Sequence, residues 1–399
     1  MALEVAKGIV RLEAGSVPVE ELGFRPRALV LWWCHEQSSG CAGGIGFATD
    51  GAGEASTAWV GDNALAPGGL SRCGADAPLL FHADPQMRDA SVHGQIRFEA
   101  RGFSVDCDRE PEQPWLVHYL ALGGPDVRGA AVHSLVLDDT GTRTVNGLGF
   151  TPSVVLATVG AGSTAGEPRP DLAVAFGAAG LQSQVAGGFV AQAGAGEAIV
   201  RGTQCTDAVA VLPAVEAPGE IAALSRVVSF DEDGFTLETT HLASELPLAV
   251  LALAAADSAV GLGSASSRTT TVGFDPSGAL VFGTGLTAMS HSHDFGRLCM
   301  GGFSRDRRTG CISWTFRARP FGPRSRSTDE ASFDVVDTTS GELHARAKLS
   351  ALGRRRFSLR WVRDRPPRDF GFVAFGPKFR RPTLGDRLRR LGRGRSLSE

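Results

Sequence analysis

The residues of this chain best able to do chemistry are few and scattered. His291, His293, Asp294 and Cys299 crowd one short stretch, and His-x-His on an extended backbone sets two imidazoles on one side, as a metal ion would need. No further ligand set at recognisable spacing completes the group, so a solvated loop is expected and no metal is assigned. Trp32-Trp33-Cys34-His35-Glu36 sets a thiol beside an imidazole, but adjacent residues on a strand face opposite ways, so no catalytic pair is expected. Gly160-x-Gly162-x-x-Ala165 has the spacing of a dinucleotide-binding turn. That turn must open a helix, and Pro168 and Pro170 would break one, so no cofactor is expected. Asp50, Asp62, Asp106, Asp108, Asp231 and Asp233 could supply the two carboxylates of a glycosidase, yet no spacing sets a pair across a cleft. Asp231-Glu232-Asp233-Gly234 reads most simply as a turn. With no Gly-x-Ser-x-Gly elbow, P-loop or His-Glu-x-x-His present, the chain is read as non-enzymatic, without catalytic residues.

Binding residues are easier to nominate. Of the six tryptophans, Trp32, Trp33, Trp115 and Trp361 suit a core, whereas Trp59 lies in a Gly- and Asp-rich stretch and is expected at the surface, where its face could stack on a sugar ring. From Phe379 to Glu399, seven Arg stand against Asp386 and Glu399, a local charge of +5. Leu384, Leu388 and Leu391 recur there at helical spacing, so Arg387, Arg389, Arg390 and Arg393 are candidates for docking on an acidic neighbouring subunit.

Elements joined by tight turns must position these groups. The chain has 399 residues, 43% hydrophobic and 21% charged, which suits two to four folded domains. Glycine (51) and proline (21) are abundant and strong helical stretches are scarce, which favours β structure. A net charge of −3 gives no general reason to bind nucleic acid. Cys34, Cys41, Cys73, Cys107, Cys205, Cys299 and Cys311 are odd in number and widely spaced, so reduced thiols are expected. No apolar run has the length of a signal peptide or a membrane span, so folding in a cytoplasm and no membrane partner are expected.

The chain matches itself three times. Gly-Phe-x-Pro and an apolar run recur at Gly23-Phe24-Arg25-Pro26, Gly149-Phe150-Thr151-Pro152 and Gly273-Phe274-Asp275-Pro276, with the phenylalanines 126 and 124 residues apart. A second block recurs as Phe103-Ser104-Val105, Phe235-Thr236-Leu237 and Phe357-Ser358-Leu359. A third runs through Ala121, Ala252 and Ala374, which follow those phenylalanines by 18, 17 and 17 residues. Glycine supplies a turn, proline enters a strand buried on both faces, and block two alternates as a strand with one wet face. Blocks two and three are expected to close as an antiparallel hairpin, with long loops in the middle of each copy and further strands there at segments such as Gly46-Phe47-Ala48 and Ala175-Phe176-Gly177. The expected fold is all-β, with three tandem homologous antiparallel β-sandwich domains of jelly-roll texture over residues 1–124, 125–256 and 257–378, and a basic tail over 379–399.

Ser229-Phe230-Asp231-Glu232-Asp233-Gly234-Phe235-Thr236-Leu237 and Val117-His118-Tyr119-Leu120-Ala121-Leu122-Gly123-Gly124 resemble a repeat of tailed-phage virion proteins. The resemblance spans residues 5–378 and implies sandwich domains that build particle surfaces, with no catalytic residues to carry over. Copy three departs from it, with Arg354-Arg355-Arg356 in place of the acidic turn. Three copies could close into a pseudo-threefold ring matching a threefold or sixfold position in a larger assembly. The expectation is a non-enzymatic structural or adsorption component of a phage-like particle, assembled in the bacterial cytoplasm and docked on other particle subunits. The alternative is a stand-alone carbohydrate-binding adhesin for a cell-surface glycan, and a hydrolase is the outsider.

Overall fold

The computed structural model describes residues 3–377 except for 13–14, 37–39, 52, 63–68, 76–77, 82–91, 112–113, 161–171, 193–198, 287–289, 293–294, 318–322, 338–339, 341 and 363–368. Every regular element among the described residues is a β-strand. The first ten are β1 (Glu4–Leu12), β2 (Ser16–Val19), β3 (Pro26–Glu36), β4 (Gly40–Thr49), β5 (Glu54–Asp62), β6 (Gly69–Ala75), β7 (Leu79–Phe81), β8 (Val92–Glu99), β9 (Gly102–Cys107) and β10 (Trp115–Gly123). They form a six-stranded sheet, β1-β10-β3-β4-β5-β6, and a four-stranded one, β2-β9-β8-β7.

The next ten repeat that order. They are β11 (Val127–Leu137), β12 (Gly141–Asn146), β13 (Val154–Gly160), β14 (Leu172–Gly180), β15 (Gln184–Gln192), β16 (Ile199–Thr206), β17 (Ala210–Pro213), β18 (Ile221–Asp231), β19 (Gly234–Leu242) and β20 (Leu246–Ala255). The large sheet here is β11-β20-β13-β14-β15-β16 and the small one β12-β19-β18-β17. The remaining strands are β21 (Asp257–Ser264), β22 (Thr269–Thr271), β23 (Gly278–Gly283), β24 (Ser290–Ser292), β25 (Phe295–Ser304), β26 (Thr309–Arg317), β27 (Arg324–Thr328), β28 (Phe333–Val336), β29 (Leu343–Gly353), β30 (Arg356–Trp361) and β31 (Asp369–Gly376). The same order returns a third time as β21-β31-β23-β25-β26-β27 and β22-β30-β29-β28. All strand pairs are antiparallel. The short β24 leaves its own sheet and adds a seventh strand to the second one, Thr203 opposite His291.

The apolar pattern explains the layering. Along β3, Leu29, Leu31 and Trp33 face the first small sheet, whereas Ala28, Val30, Trp32 and Cys34 face the other way into a second core. In β13 and β23 the split repeats, with Val155 and Val281 toward their small sheets and Leu156 and Leu280 away from them. Such near-continuous apolar runs mark strands covered on both faces. The second core is common to all three large sheets. Phe176 lies 6.5 Å from Phe47 and 4.8 Å from Phe282, ring centre to ring centre, so one aromatic cluster joins the three.

Contacts between the sheet pairs run in one cyclic sense. β11 packs on β4 and β5, β21 on β14 and β15, and β1 on β25 and β26. Glycines make the close seats. A Cβ on Gly43 would lie 2.3 Å from Nε1 of Trp314, and one on Gly296 would lie 2.6 Å from the Phe189 ring.

Gly23, Gly149 and Gly273 have φ of +78°, +73° and +84°, the left-handed turn that admits glycine before each Pro-led strand. Two expectations fail. Blocks two and three do not form a hairpin, because β9, β19 and β30 lie in the small sheets while β10, β20 and β31 lie in the large ones. Block three is buried on both faces and belongs with block one. Gly46-Phe47-Ala48 and Ala175-Phe176-Gly177 do lie in strands, β4 and β14, but among the described residues the middle of each copy holds more strand than long loops would allow, with β4–β8, β14–β18 and β25–β29 running through it.

Candidate functional site

On β1, alternation sends Lys7 to the same side as Val5, toward the core shared by the large sheets. The ladder pairs Lys7 with Leu120, Val132 with Leu251 and Val260 with Val373, so lysine stands where the other two sheets carry valine. His118 on β10 likewise stands where β20 has Ala249 and β31 has Gly371. One of three corresponding joints is therefore polar.

Both side chains are fully buried, at 0% exposure. Lys7 Nζ donates to the Gly8 carbonyl at 2.8 Å and lies 3.2 Å from His118 Nδ1 and 5.4 Å from the Trp32 ring centre. His118 Nε2 lies 2.8 Å from Ser327 Oγ on β27, and the Lys7 backbone N–H donates to Ser304 Oγ at 3.1 Å. Gly310 makes the room, since a Cβ there would lie 2.5 Å from Lys7 Nζ. Burial pulls the Lys7 amine down to about 7, against the opposing pull of Cys311 and Asp329. Burial, and then the Lys7 charge, hold His118 well below the usual imidazole value. Neutral His118 thus accepts from Lys7 at Nδ1 and donates from Nε2 to Ser327. An amine that titrates near neutrality could act as a base, but this one is enclosed between β1, β10, β26 and β27. Its chemistry is that of a titratable joint between the first and third sheets.

Other reactive groups are quenched or paired. Burial pushes Cys299 up to about 11 and Cys311 well above the thiol range, so both are inert thiols. Buried Asp334 on β28 receives Nε and Nη2 of Arg346 on β29 at 2.9 and 2.7 Å, a fork that compensates its desolvation. An open cavity of about 400 Å³ is lined by Cys205, Thr206, Asp207, Leu224, Arg226 and Thr240. Arg226 is already engaged there by Glu238 at 2.6 Å and Asp207 at 3.3 Å.

Trp59 is not at the surface. It is fully buried on β5 in the shared core, edge-on to Trp314 at 5.0 Å, so its ring cannot stack on a glycan. Asp50 and Gly51 before it lie in a bend, but Gly61 and Asp62 after it continue β5, whose alternation drives the indole inward. Arg387, Arg389, Arg390 and Arg393 lie outside the described residues, as do His293 and Asp294. His291 is half-buried in β24, its Nδ1 3.0 Å from Thr203 Oγ1, rather than in a solvated loop.

Of the nominated carboxylates, Asp50, Asp106, Asp108, Asp231 and Asp233 are used locally, Asp231 accepting from Thr236 Oγ1 at 2.9 Å. Asp50 holds Arg25, Asp106 holds Ser16 and Arg97, and Asp108 accepts the His93 N–H. Asp233, in the expected turn, accepts the N–H groups of Gly147 and Gly149 and so ties block two to block one. The third sheet pair makes the same tie in reverse, Asp275 accepting the Arg355 N–H at 3.1 Å.

Lys7 and His118 escaped notice because each is a single polar residue in an apolar strand. Aligning the chain with itself carries the signal, since both stand opposite apolar or small residues in the other copies. No protein-family model and no curated protein matches the sequence.

Proposed function

We propose that the chain is a non-enzymatic structural component of a phage-like particle, built from three diverged copies of one antiparallel sandwich unit over residues 1–124, 125–256 and 257–378. The copies close into a pseudo-threefold ring. The carrying observation is the cyclic packing of the first strand of each unit, β1, β11 and β21, on the hairpin of another unit's large sheet. A heterologous contact repeated around a closed circuit is what a ring requires, and here the circuit closes within one chain. Such a block presents three similar, separately variable outer faces to the neighbours at a threefold or sixfold position. The particle assembles in the bacterial cytoplasm, and Arg387, Arg389, Arg390 and Arg393 of the tail dock on an acidic neighbouring subunit.

The test is the native mass of the purified chain with and without residues 379–399, with imaging of any assemblies. Large symmetric assemblies from the full chain, and monomers from the truncation, are the expected result. Stable monomers from both would remove self-assembly from the reading.

A further inference from the structure

Charge is strongly divided along the chain. Residues 1–256 carry 30 Asp and Glu against 14 Lys and Arg, whereas residues 257–399 carry 13 against 26, a net of −16 against +13. The division appears at corresponding points of the surface. The β18–β19 turn is Asp231-Glu232-Asp233-Gly234, with Glu232 and Asp233 exposed; the β29–β30 turn is Gly353-Arg354-Arg355-Arg356, with all three arginines exposed. On the outward face of the second small sheet, Arg226 stands opposite Glu238 and pairs with it at 2.6 Å. On the third, Lys348 stands opposite Arg360, like charge against like. Lys348 has Glu330 at 3.6 Å, while Arg354, Arg356 and Arg360 have no ion-pair partner among the described residues. Like charges directly across a ladder are destabilising, and an incoming anionic surface relieves them.

We infer that the outer face of the third small sheet, carrying Lys348, Arg354, Arg356 and Arg360, docks on the acidic second sheet pair, around Glu232 and Glu238, of another copy of this chain. The inference rests on the structural reading above and names the partner within it. A second copy fits better than nucleic acid. The partner must be acidic over a folded surface, and this chain supplies one, while the net charge of −16 over its own residues 1–256 would repel a phosphate backbone lying along it. Because the two faces differ, the contact is head-to-tail and leaves a free face at each end for the next copy. Opposite potentials also speed and orient the encounter within a Debye length of about 10 Å at about 0.1 M salt.

Charge exchange tests this. Arg354→Glu with Arg360→Glu makes both faces acidic, and Glu232→Arg with Glu238→Arg makes both basic. Each variant only places in one sheet pair what the corresponding position tolerates in the other, and circular dichroism verifies the fold. Sedimentation velocity is run at about 0.05 M and about 0.5 M salt, below and above the range where surface charge is screened. The wild type is expected to associate at low salt and to dissociate at high salt. Each variant alone is expected to lose association, and a 1:1 mixture of the two to restore the wild-type size distribution. Assemblies that both variants still form would overturn this interface alone and leave the structural reading standing. A wild type monomeric at low salt would overturn this interface and remove self-assembly from the structural reading as well. A monomeric wild type that binds a labelled DNA oligonucleotide through these arginines would assign the face to nucleic acid instead.

Discussion

Lys7 gives the molecule a stability that depends on pH at one joint. The folded chain gives up this proton at about pH 7, whereas an exposed lysine keeps it to 10.5. Between those values the unfolded chain binds the extra proton, so stability rises with pH across the interval. His118 acts in the same sense at lower pH: its folded imidazole resists protonation, and stability falls further as pH drops below the ordinary value of 6.5. Lys7→Val with His118→Ala, which copies the second sheet pair, is expected to flatten this profile. Urea midpoints measured from about pH 5 to about pH 10 would reveal it, and an unchanged slope would show that the joint does not titrate. At this scale the sequence was least legible. Trp59 was misplaced because glycines and aspartates flank it in sequence, as they would flank a loop, while its neighbours in space are Trp314 and the shared core. Lys7 looked like any lysine near a chain end. Only the ladder partners of β1, supplied by a strand more than a hundred residues away, show that it replaces a valine.

Among the strands, the close seats depend on glycine. The Trp314 indole rests where Gly43 has no side chain, so Gly43→Ala must shift either a tryptophan or the β3–β4 backbone. Overpacking of this kind costs about 1–3 kcal/mol, and a matching loss in the urea midpoint is expected. An unchanged midpoint would mean that the first and third sheets separate at this point without penalty. The strands of blocks one and two were legible, because proline entry and two-residue alternation are local signals. The sheet to which block three belongs was not. It pairs with block one across more than eighty residues, and nothing within Trp115–Gly123 distinguishes that partner from the nearer β9. The middle strands around Phe47 and Phe176 were legible as strands, but their register was not, because the glycines beside them leave no alternation to read and instead let sheets approach closely.

For the whole molecule, the shared core decides how it unfolds. Removing one large sheet would expose Phe47, Phe176 or Phe282 and the apolar face around it, so the three sheet pairs are expected to melt in a single transition. Differential scanning calorimetry with equal calorimetric and van't Hoff enthalpies would meet that expectation, and three resolved peaks would contradict it. The threefold recurrence was legible from block spacing alone. The common core was not, because self-similarity reports copies and is silent about how their outer faces meet.

The cyclic contacts have a further consequence that depends on covalent linkage. In a ring of three separate chains, every joint would be bimolecular and would open on dilution. Here the links Gly124–Asp126 and Ala256 tether each sheet pair to the next within a few residues, so closure proceeds at an effective concentration set by the tether and not by the solution. These contacts should then persist at any protein concentration. A weak joint, such as the polar one at Lys7, is tolerable in such a molecule, because the other two hold its partners in register.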